Sequence, residues 1–319
     1  MKHDSNVKNN VDLSAFDNAP VISIRNLTKD YGEGKGIFDL TLDVNKGETI
    51  GYVGTNGSGK TTTIRNIMGF LKPTSGSVSV FGLDSWKNSM QIKQYVGYVP
   101  GEIAYPGVQT GNDFLKIQAE FWGIKDMSYA NYLINRLQLD TGANLKRMSK
   151  GMKQKTAIVA ALMNDPPILI LDEPTTGLDP LMRESFMDIL LEEKKKGKTI
   201  FMSSHIFEEV EETCDRVGLL KDGHLVDITD MSRITNNDLR TYNIEFFKAE
   251  EYKDFITKNF TFERLIPEHN RVVINVKDED VNKMFNALTS YSVKFISETK
   301  YTLDKYFDSV FEKGANNDK

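Results

Sequence analysis

A glycine-rich stretch at residues 54–61 carries the strongest chemical pattern in the sequence. It reads Gly-Thr-Asn-Gly-Ser-Gly-Lys-Thr and fits G-x-x-x-x-G-K-[ST], between a predicted strand at 49–53 and a predicted helix at 62–71. Glycines let successive backbone N–H groups face one centre, and the positive end of the helix adds to their attraction for a polyphosphate. The pattern therefore predicts a phosphate-binding loop with these contributing residues: Gly54, Asn56, Gly57, Gly59, Lys60, Thr61 and Thr62.

The side chains at the end of this loop can act on a bound nucleotide. The Lys60 ammonium would reach the β- and γ-phosphates, and the Thr61 hydroxyl would ligate Mg²⁺. The Thr62 hydroxyl would lie near the α-phosphate. The strand–loop–helix context favours this interpretation over a chance match to the pattern.

Two carboxylates follow an uninterrupted apolar run at 168–171. Asp172 and Glu173 would lie where a buried strand ends, at the edge of a parallel sheet where phosphate and magnesium bind. Asp172 suits a magnesium partner, and Glu173 suits a group that polarises an attacking water. The alternative is a satisfied pair of carboxylates at a strand end. Downstream of a phosphate-binding loop, the functional interpretation is favoured.

Two shorter patterns are ambiguous by themselves. Ser149 precedes a helix with a basic first turn, and free N–H groups there favour an anion. His205 follows a predicted strand at 199–202, where it could touch a γ-phosphate. Taken alone, an ordinary capped helix and an exposed histidine are the favoured explanations of these two patterns.

In this order, the motifs resemble the ATP-binding subunits of ABC transporters over residues 20–228. Residues 174–180, Pro-Thr-Thr-Gly-Leu-Asp-Pro, look like the D-loop of that family and follow Glu173 directly. The combination is specific, whereas no single motif is. The resemblance implies an α/β P-loop NTPase fold with a helical subdomain at about 88–163, ATP hydrolysis, and ATP and Mg²⁺ as cofactors.

The resemblance also implies roles for individual residues. Tyr31 would stack on adenine, Glu173 would be the general base, and His205 would be the switch histidine. A complete ATP site in this family combines the phosphate loop of one copy with the signature motif of another, and this chain has one of each. The protein would therefore work as a head-to-tail pair with a second copy or a paralogous ATPase. The residues expected to act across that interface are Ser149, Gly151 and Asp179.

Two positions depart from the family pattern. The signature reads Met-Ser-Lys-Gly-Met at 148–152, so Met152 replaces a glutamine and cannot donate its hydrogen bonds. The slot of the Q-loop glutamine is occupied by Gly101, and Glu102 follows it. Glu102 is the candidate replacement, and a one-residue shift of the alignment remains open. An inactive ATPase is a weaker alternative raised by these departures.

The chain is expected to contain two domains after a flexible leader at 1–20. Residues 21–230 would form the ATPase domain, and 231–319 would form a small α+β accessory domain. The patterns there predict strand 242–247, helix 249–258, strands 262–266 and 271–276, helix 279–289 and strand 292–298, which is the ferredoxin-like order, followed by a helix at 302–313. This domain would be regulatory, a dimer brace or a stabilising appendage.

Composition excludes several classes of protein. The 319 residues suggest about two domains at roughly 100–200 residues each. A net charge of −5 gives no reason to expect nucleic-acid binding, and the single cysteine, Cys214, excludes a disulfide framework and a multi-cysteine zinc site. No stretch has the roughly 18 apolar residues of a membrane span, and residues 1–18 lack the apolar part of a secretory signal.

The resemblance therefore implies a subunit at the cytoplasmic face of the membrane that drives a separate integral membrane permease, without a nucleic-acid partner. The Ser-Lys-Gly-Met signature and the C-terminal extension look like the bacterial and archaeal exporter branch whose subunits pair with a separately encoded permease. That branch includes drug and antibiotic exporters, peptide and bacteriocin immunity systems, and some cation and polysaccharide exporters. The alternatives are an importer ATPase and a soluble ABC ATPase acting on ribosomes or DNA.

The segment 101–125 would form the groove that receives a permease helix. Its aromatic residues allow two interpretations. Core packing is favoured for Phe114 and Phe121, whereas an interface is favoured for Tyr105 and Pro106; Trp122 is a further candidate for the groove.

Overall fold

The computed structural model describes residues 12–105, 107–235, 238–299 and 301–316. The chain divides into two units, Met1–Thr229 and Asp230–Lys319. Residues 1–11 of the predicted leader lie outside the described residues. Leu13–Phe16, also within the predicted leader, form a 3-10 helix, and the Phe16 ring packs edge-on against Phe81 with centroids 5.3 Å apart.

A six-stranded, largely parallel sheet forms the centre of the first unit, in the order β10-β9-β3-β8-β7-β6. Its strands in chain order are β3 (Thr49–Gly54), β6 (Val96–Val99), β7 (Ile168–Asp172), β8 (Thr199–Ser204), β9 (Arg216–Lys221) and β10 (His224–Asp230). Every residue of β3, β7 and β8 is buried, as expected for strands covered on both faces. The three strands are neighbours, so their carboxyl ends meet at one edge.

A second sheet in this unit has four strands in the order β2-β1-β4-β5, all antiparallel neighbours. Its strands are β1 (Pro20–Asp30), β2 (Gly36–Asn45), β4 (Ser75–Val80) and β5 (Leu83–Asp84). Ile22, Ile24 and Leu27 of β1 are fully buried and join the same core as Ile50 of the parallel sheet. A Cβ at Gly59 would lie 3.4 Å from the Gly36 carbonyl oxygen, so the start of β2 is close to the end of the phosphate loop.

Among the described residues of this unit, seven α-helices connect the strands: α1 (Lys60–Ile67), α2 (Ser89–Ile92), α3 (Gly111–Trp122), α4 (Ser128–Arg136), α5 (Lys150–Leu162), α6 (Pro180–Lys195) and α7 (Phe207–Thr213). Local capping explains where the main ones begin. Thr110 and Asp113 form a reciprocal capping box at α3, Ser149 caps α5, and Asp179 caps α6 ahead of Pro180. The alternation of strands and helices confirms the predicted α/β fold class.

The segment predicted as a helical subdomain, about 88–163, contains one strand besides its helices, because Val96–Val99 pairs in parallel with β7. The predicted end of the first helix at residue 71 is wrong. The first helix ends at Ile67, well before Pro73. Gly69 has a positive φ of 64°, and the Phe70 N–H donates to the Arg65 carbonyl at 2.8 Å, which is a glycine-ended Schellman cap.

The second unit contains the predicted strand–helix–strand–strand–helix–strand order. After α8 (Met231–Thr235), its elements are β11 (Leu239–Phe246), α9 (Ala249–Phe255), β12 (Thr261–Ile266), β13 (Arg271–Lys277), α10 (Val281–Leu288), β14 (Val293–Thr299) and α11 (Leu303–Asn316). The sheet is antiparallel in the order β12-β13-β11-β14. Alternate residues of β11 and β13, such as Ile244 and Ile274, are fully buried with Phe255 of α9. Within the described part of the chain, no helix has the length and apolar character of a membrane span.

Close packing of α5 on the parallel sheet depends on Gly97 in β6. A Cβ atom there would lie 2.3 Å from the Ala161 carbonyl oxygen and 2.8 Å from Pro166 Cγ. By contrast, a Cβ at Gly107 would have no heavy atom within 4 Å.

We expect Gly97→Ala to lower the free energy of unfolding by about 1–3 kcal/mol, because the methyl group forces α5 away from the strand. Gly107→Ala is the matched control and should leave stability unchanged or slightly raised. Urea denaturation measures both. Equal stability of the two variants would contradict the close packing described for Gly97.

Candidate nucleotide-binding site

The phosphate loop joins the end of β3 to the start of α1. Gly59 precedes the helix with a φ of 109°, and a Cβ there would lie 2.4 Å from Ile37 Cγ2, so only glycine fits. The Lys60 side chain is 5% exposed, and its Nζ donates to the carbonyl oxygens of Gly54 at 2.8 Å and Thr55 at 3.2 Å. The buried ammonium at the end of the loop is therefore bound by two carbonyl oxygens at its start.

Asp172 ends β7 with a fully buried carboxylate. The Ser203 hydroxyl donates to Asp172 Oδ1 at 2.7 Å, whereas the buried Oδ2 has no hydrogen-bond partner. A buried charged oxygen without a partner is costly unless a cation meets it. Gly101 lies beside this atom, because a Cβ at Gly101 would be 3.2 Å from Asp172 Oδ2. The slot predicted for the Q-loop glutamine therefore does adjoin Asp172, while the Glu102 side chain is exposed to solvent.

Glu173 lies between two of the other predicted site residues. Its Oε1 is 3.6 Å from Lys60 Nζ, and its Oε2 is 3.2 Å from His205 Nδ1. Its backbone has a positive φ of 47°, and its N–H donates to the carbonyl oxygen of Ser203 at 3.1 Å and to the Ser203 hydroxyl at 3.0 Å. A left-handed backbone at a non-glycine residue stores strain, and these bonds to β8 hold it in place.

The signature helix α5 packs on the loop that follows Glu173. A Cβ at Gly151 would lie 2.5 Å from the Gly177 carbonyl oxygen, so the helix and the loop approach closely. The predicted cap is present, because the Met152 N–H donates to the Ser149 hydroxyl at 3.2 Å. Asp179 accepts from the Met182 N–H at 3.0 Å at the start of α6. Ser149 and Asp179 are both exposed.

Sequence analysis missed Gln154 as a residue that shapes this region. Its side chain is 1% exposed and donates from Nε2 to the Pro174 carbonyl oxygen at 2.8 Å. This bond joins α5 to the loop after Glu173. The available signal was a lone amide among lysines in the first turns of a helix, but that pattern is equally typical of a surface position.

Tyr31 lies in the connection between β1 and β2, and its side chain is 54% exposed. Its N–H donates to the Lys35 carbonyl oxygen at 2.9 Å, which closes the turn. The Lys29 ammonium is 5.6 Å from the centre of the ring. An exposed aromatic ring on a fixed turn is suited to stacking, and its predicted contact with adenine stays a prediction.

A groove of about 290 Å³ lies between the parallel sheet and helices α3 and α5. Phe114, Trp122 and Tyr105 line it together with Phe70 and Tyr98. The expectation that Phe121 packs in the core is wrong, because its side chain is 75% exposed and meets Trp122 edge-on. Pro106 lies outside the described residues.

A strand, a phosphate loop, a helix and two strand-end carboxylates together define a P-loop nucleotide-binding protein. A family model described as ABC transporter matches residues 37–176. Bacitracin transport ATP-binding protein BcrA of Bacillus licheniformis is 33% identical over 304 residues, which covers 92% of this chain and 98% of that protein. ABC transporter ATP-binding protein NatA of Bacillus subtilis is 36% identical over 60% of this chain and 80% of its own length.

Solved structures agree with these relatives. An ATP-binding subunit of an ABC transporter superposes with a TM-score of 0.61 at 30% identity, over 68% of this chain and 92% of that chain. A dimeric ATP-binding cassette bound to ADP and Pi superposes with a TM-score of 0.59 at 25% identity, over 66% of this chain and 98% of that chain. The chain belongs to the ABC transporter ATP-binding proteins, and it is an ATP-hydrolysing subunit of that family.

Lys60→Ala should weaken ATP binding at least about 10- to 100-fold, because it removes the charged donor predicted to meet the phosphates. Equilibrium binding of a fluorescent ATP analogue measures the change. Lys195→Ala, which removes an exposed lysine at the end of α6, is the control and should bind ATP like the wild type. Unchanged affinity in Lys60→Ala would exclude this loop as the nucleotide site.

Proposed function

We propose that this chain is the ATPase subunit of an exporter and drives a separate integral membrane permease from the cytoplasmic face of the membrane. The observation that carries the proposal is the extent of the match to the bacitracin transport protein, which covers 92% of this chain and therefore reaches into both units. A linearmycin resistance ATP-binding protein of Bacillus subtilis is also 33% identical over 65% of this chain. Relatives named for transport and resistance support the exporter over ribosome- or DNA-associated alternatives.

We propose that Mg²⁺ is held with ATP between Thr61 and Asp172. The unpartnered Oδ2 of Asp172 fits a cation, and a hard cation such as Mg²⁺ prefers oxygen ligands. No group of three or more His, Cys, Asp or Glu side chains suited to a metal occurs in the described ranges, so phosphate oxygens would complete the coordination. Bound Mg²⁺ would neutralise charge on the β- and γ-phosphates. Gly101 has no side chain to add to this set.

Glu173 is proposed as the general base and His205 as the group that senses the γ-phosphate. Glu173 has one carboxylate oxygen toward Lys60 and the other toward His205, so these two side chains fix its orientation. A water between the carboxylate and the γ-phosphate could then give its proton to Glu173. Lys60 would bind the β- and γ-phosphates, and Thr62 would add a hydroxyl near the α-phosphate. Glu102 is a weaker candidate base, because its side chain is exposed.

We propose that two copies, or this chain and a paralogous ATPase, pair head to tail. Ser149 and Asp179 are exposed at the starts of α5 and α6, where they would meet the nucleotide held by the partner. Gly151 keeps the α5 end close to Gly177 and so presents free N–H groups beside Ser149. The phosphate loop of one copy would supply Gly54, Asn56, Gly57 and Gly59, and Tyr31 of the same copy would stack on adenine.

The groove between the sheet and α3 would take a helix of the permease. Its wall is apolar and aromatic, and the exposed Phe121 continues that surface along α3. Residues 21–230 are proposed as the ATPase domain and 231–319 as the accessory domain. The second unit would be a regulatory part, a dimer brace or a stabilising appendage.

Glu173→Gln should lower kcat by about 10²–10⁴-fold, because a neutral amide cannot accept the proton of the attacking water. ATP affinity should stay close to that of the wild type, since Lys60 remains. Steady-state hydrolysis and equilibrium binding measure the two quantities. A variant with normal turnover would place the base elsewhere, and Glu102→Gln would then be the next variant to assay.

The partner is tested by affinity capture of tagged Glu173→Gln protein with ATP from detergent-solubilised native membranes, followed by mass spectrometry. The proposal predicts a stoichiometric protein with several membrane spans, because the ATP-bound pair would stay docked. Lys60→Ala is the matched bait and should retain less of that protein. Ribosomal proteins, or no membrane protein, from an ATP-binding bait would contradict the transporter assignment.

A further inference from the structure

The loop that follows β6 touches three functional parts of the first unit within a few residues. At its start, Gly101 lies against Asp172, on the magnesium side of the proposed site. Residues 103–105 line the groove. Tyr105 then donates its hydroxyl to the main-chain carbonyl oxygen of Lys153 in α5, at 2.6 Å. The loop therefore spans from the nucleotide side to the signature helix.

Tyr105 is held by both its ring and its hydroxyl. The ring lies edge-on to Phe114, with centroids 4.8 Å apart and planes at 75°, and both rings line the groove. Burial raises the pKa of Tyr105 above its ordinary value. The hydroxyl consequently remains a donor at physiological pH.

The acceptor of this bond lies in the first turn of α5. The Lys153 N–H donates to the Ser149 carbonyl oxygen at 3.0 Å, so the residue that accepts the Tyr105 hydroxyl bond is itself hydrogen-bonded to the capping serine. Gly151 lies in the same turn. In the next turn, the Thr156 hydroxyl donates to the Met152 carbonyl oxygen at 2.9 Å. A shift of the Tyr105 ring would therefore displace the helix end that carries Ser149 and Gly151.

We propose that Tyr105 is a positioning residue for ATP hydrolysis: it ties the wall of the groove to the signature end of α5. The side-chain contact between this loop and α5 is the bond from the Tyr105 hydroxyl to the Lys153 carbonyl oxygen. At the start of the loop, Gly101 has no side chain that could make a second such contact. The inference rests on the proposed function, in which the groove takes a permease helix and Ser149 serves the ATP of the partner copy. A residue that only packs would need the ring but not the hydroxyl.

Tyr105→Phe removes the hydroxyl and keeps the ring. In the purified full-length chain, we expect kcat to fall by about 3- to 10-fold, the size expected for one lost hydrogen bond, while KM for ATP stays within about twofold. KM is unaffected because the phosphate loop of the same copy is intact. Hydrogen–deuterium exchange of residues 150–155 should become faster by about the same factor.

The matched control is Tyr132→Phe, which removes a hydroxyl that donates to Glu192 Oε2 at 2.7 Å. It should change neither kcat nor exchange at residues 150–155. The proposal is overturned if Tyr105→Phe matches the wild type in either readout, or if exchange rises evenly across the chain, as general destabilisation would cause. A wild-type chain that hydrolyses no ATP would instead refute the proposed function, whereas an active wild type with unchanged kcat in Tyr105→Phe would refute only the role of Tyr105.

Discussion

The site depends on three adjacent parallel strands that end at one edge of the sheet. β3 leads into the loop that holds Lys60, β7 ends at Asp172, and β8 ends just before His205. Asp172 is paired in register with Ser203, whose hydroxyl binds the Asp172 carboxylate and also receives the Glu173 N–H. Strand register therefore sets the distances between the charged groups. Without it, the buried Asp172 carboxylate would lose the Ser203 hydroxyl that donates to its Oδ1.

Elements with a characteristic local sequence pattern were predictable from the sequence. The phosphate loop is recognisable because its glycines and Lys60 must occupy fixed positions between a strand and a helix. β7 was predictable because its residues are apolar at every position. The second unit was predictable in its order of elements, since strands such as β13 alternate buried residues with half-buried ones.

Features that depend on tertiary contacts were not predictable. The strand at Val96–Val99 is short and contains Gly97, and only its pairing with β7 distinguishes it from the helices around it. Phe121 is exposed although its spacing on α3 is compatible with burial. The contact of Glu173 with Lys60 and His205 joins residues far apart in sequence, and no local pattern gives such a distance. The hydrogen bond from Tyr105 to Lys153 is of the same kind.

The same fold also explains why one chain would hold only part of a working site. Ser149 and Asp179 are exposed at helix starts and lie with Gly151 around the loop that follows Glu173, so they are available to a second copy. The central claim is that hydrolysis combines the phosphate loop of one copy with the signature of another. This claim is separate from the identity of the permease, because it concerns the chain and its own copy.

The most direct measurement mixes two inactive variants. Lys60→Ala lacks the phosphate lysine, whereas Ser149→Asp keeps a good helix cap but places a negative charge where the γ-phosphate of the partner would bind. A mixed pair contains one intact combination of loop and signature, so the account predicts that mixing restores ATP hydrolysis that neither variant shows alone. If mixtures are no more active than the separate variants, while each remains folded, hydrolysis does not combine residues of two copies and the account is contradicted.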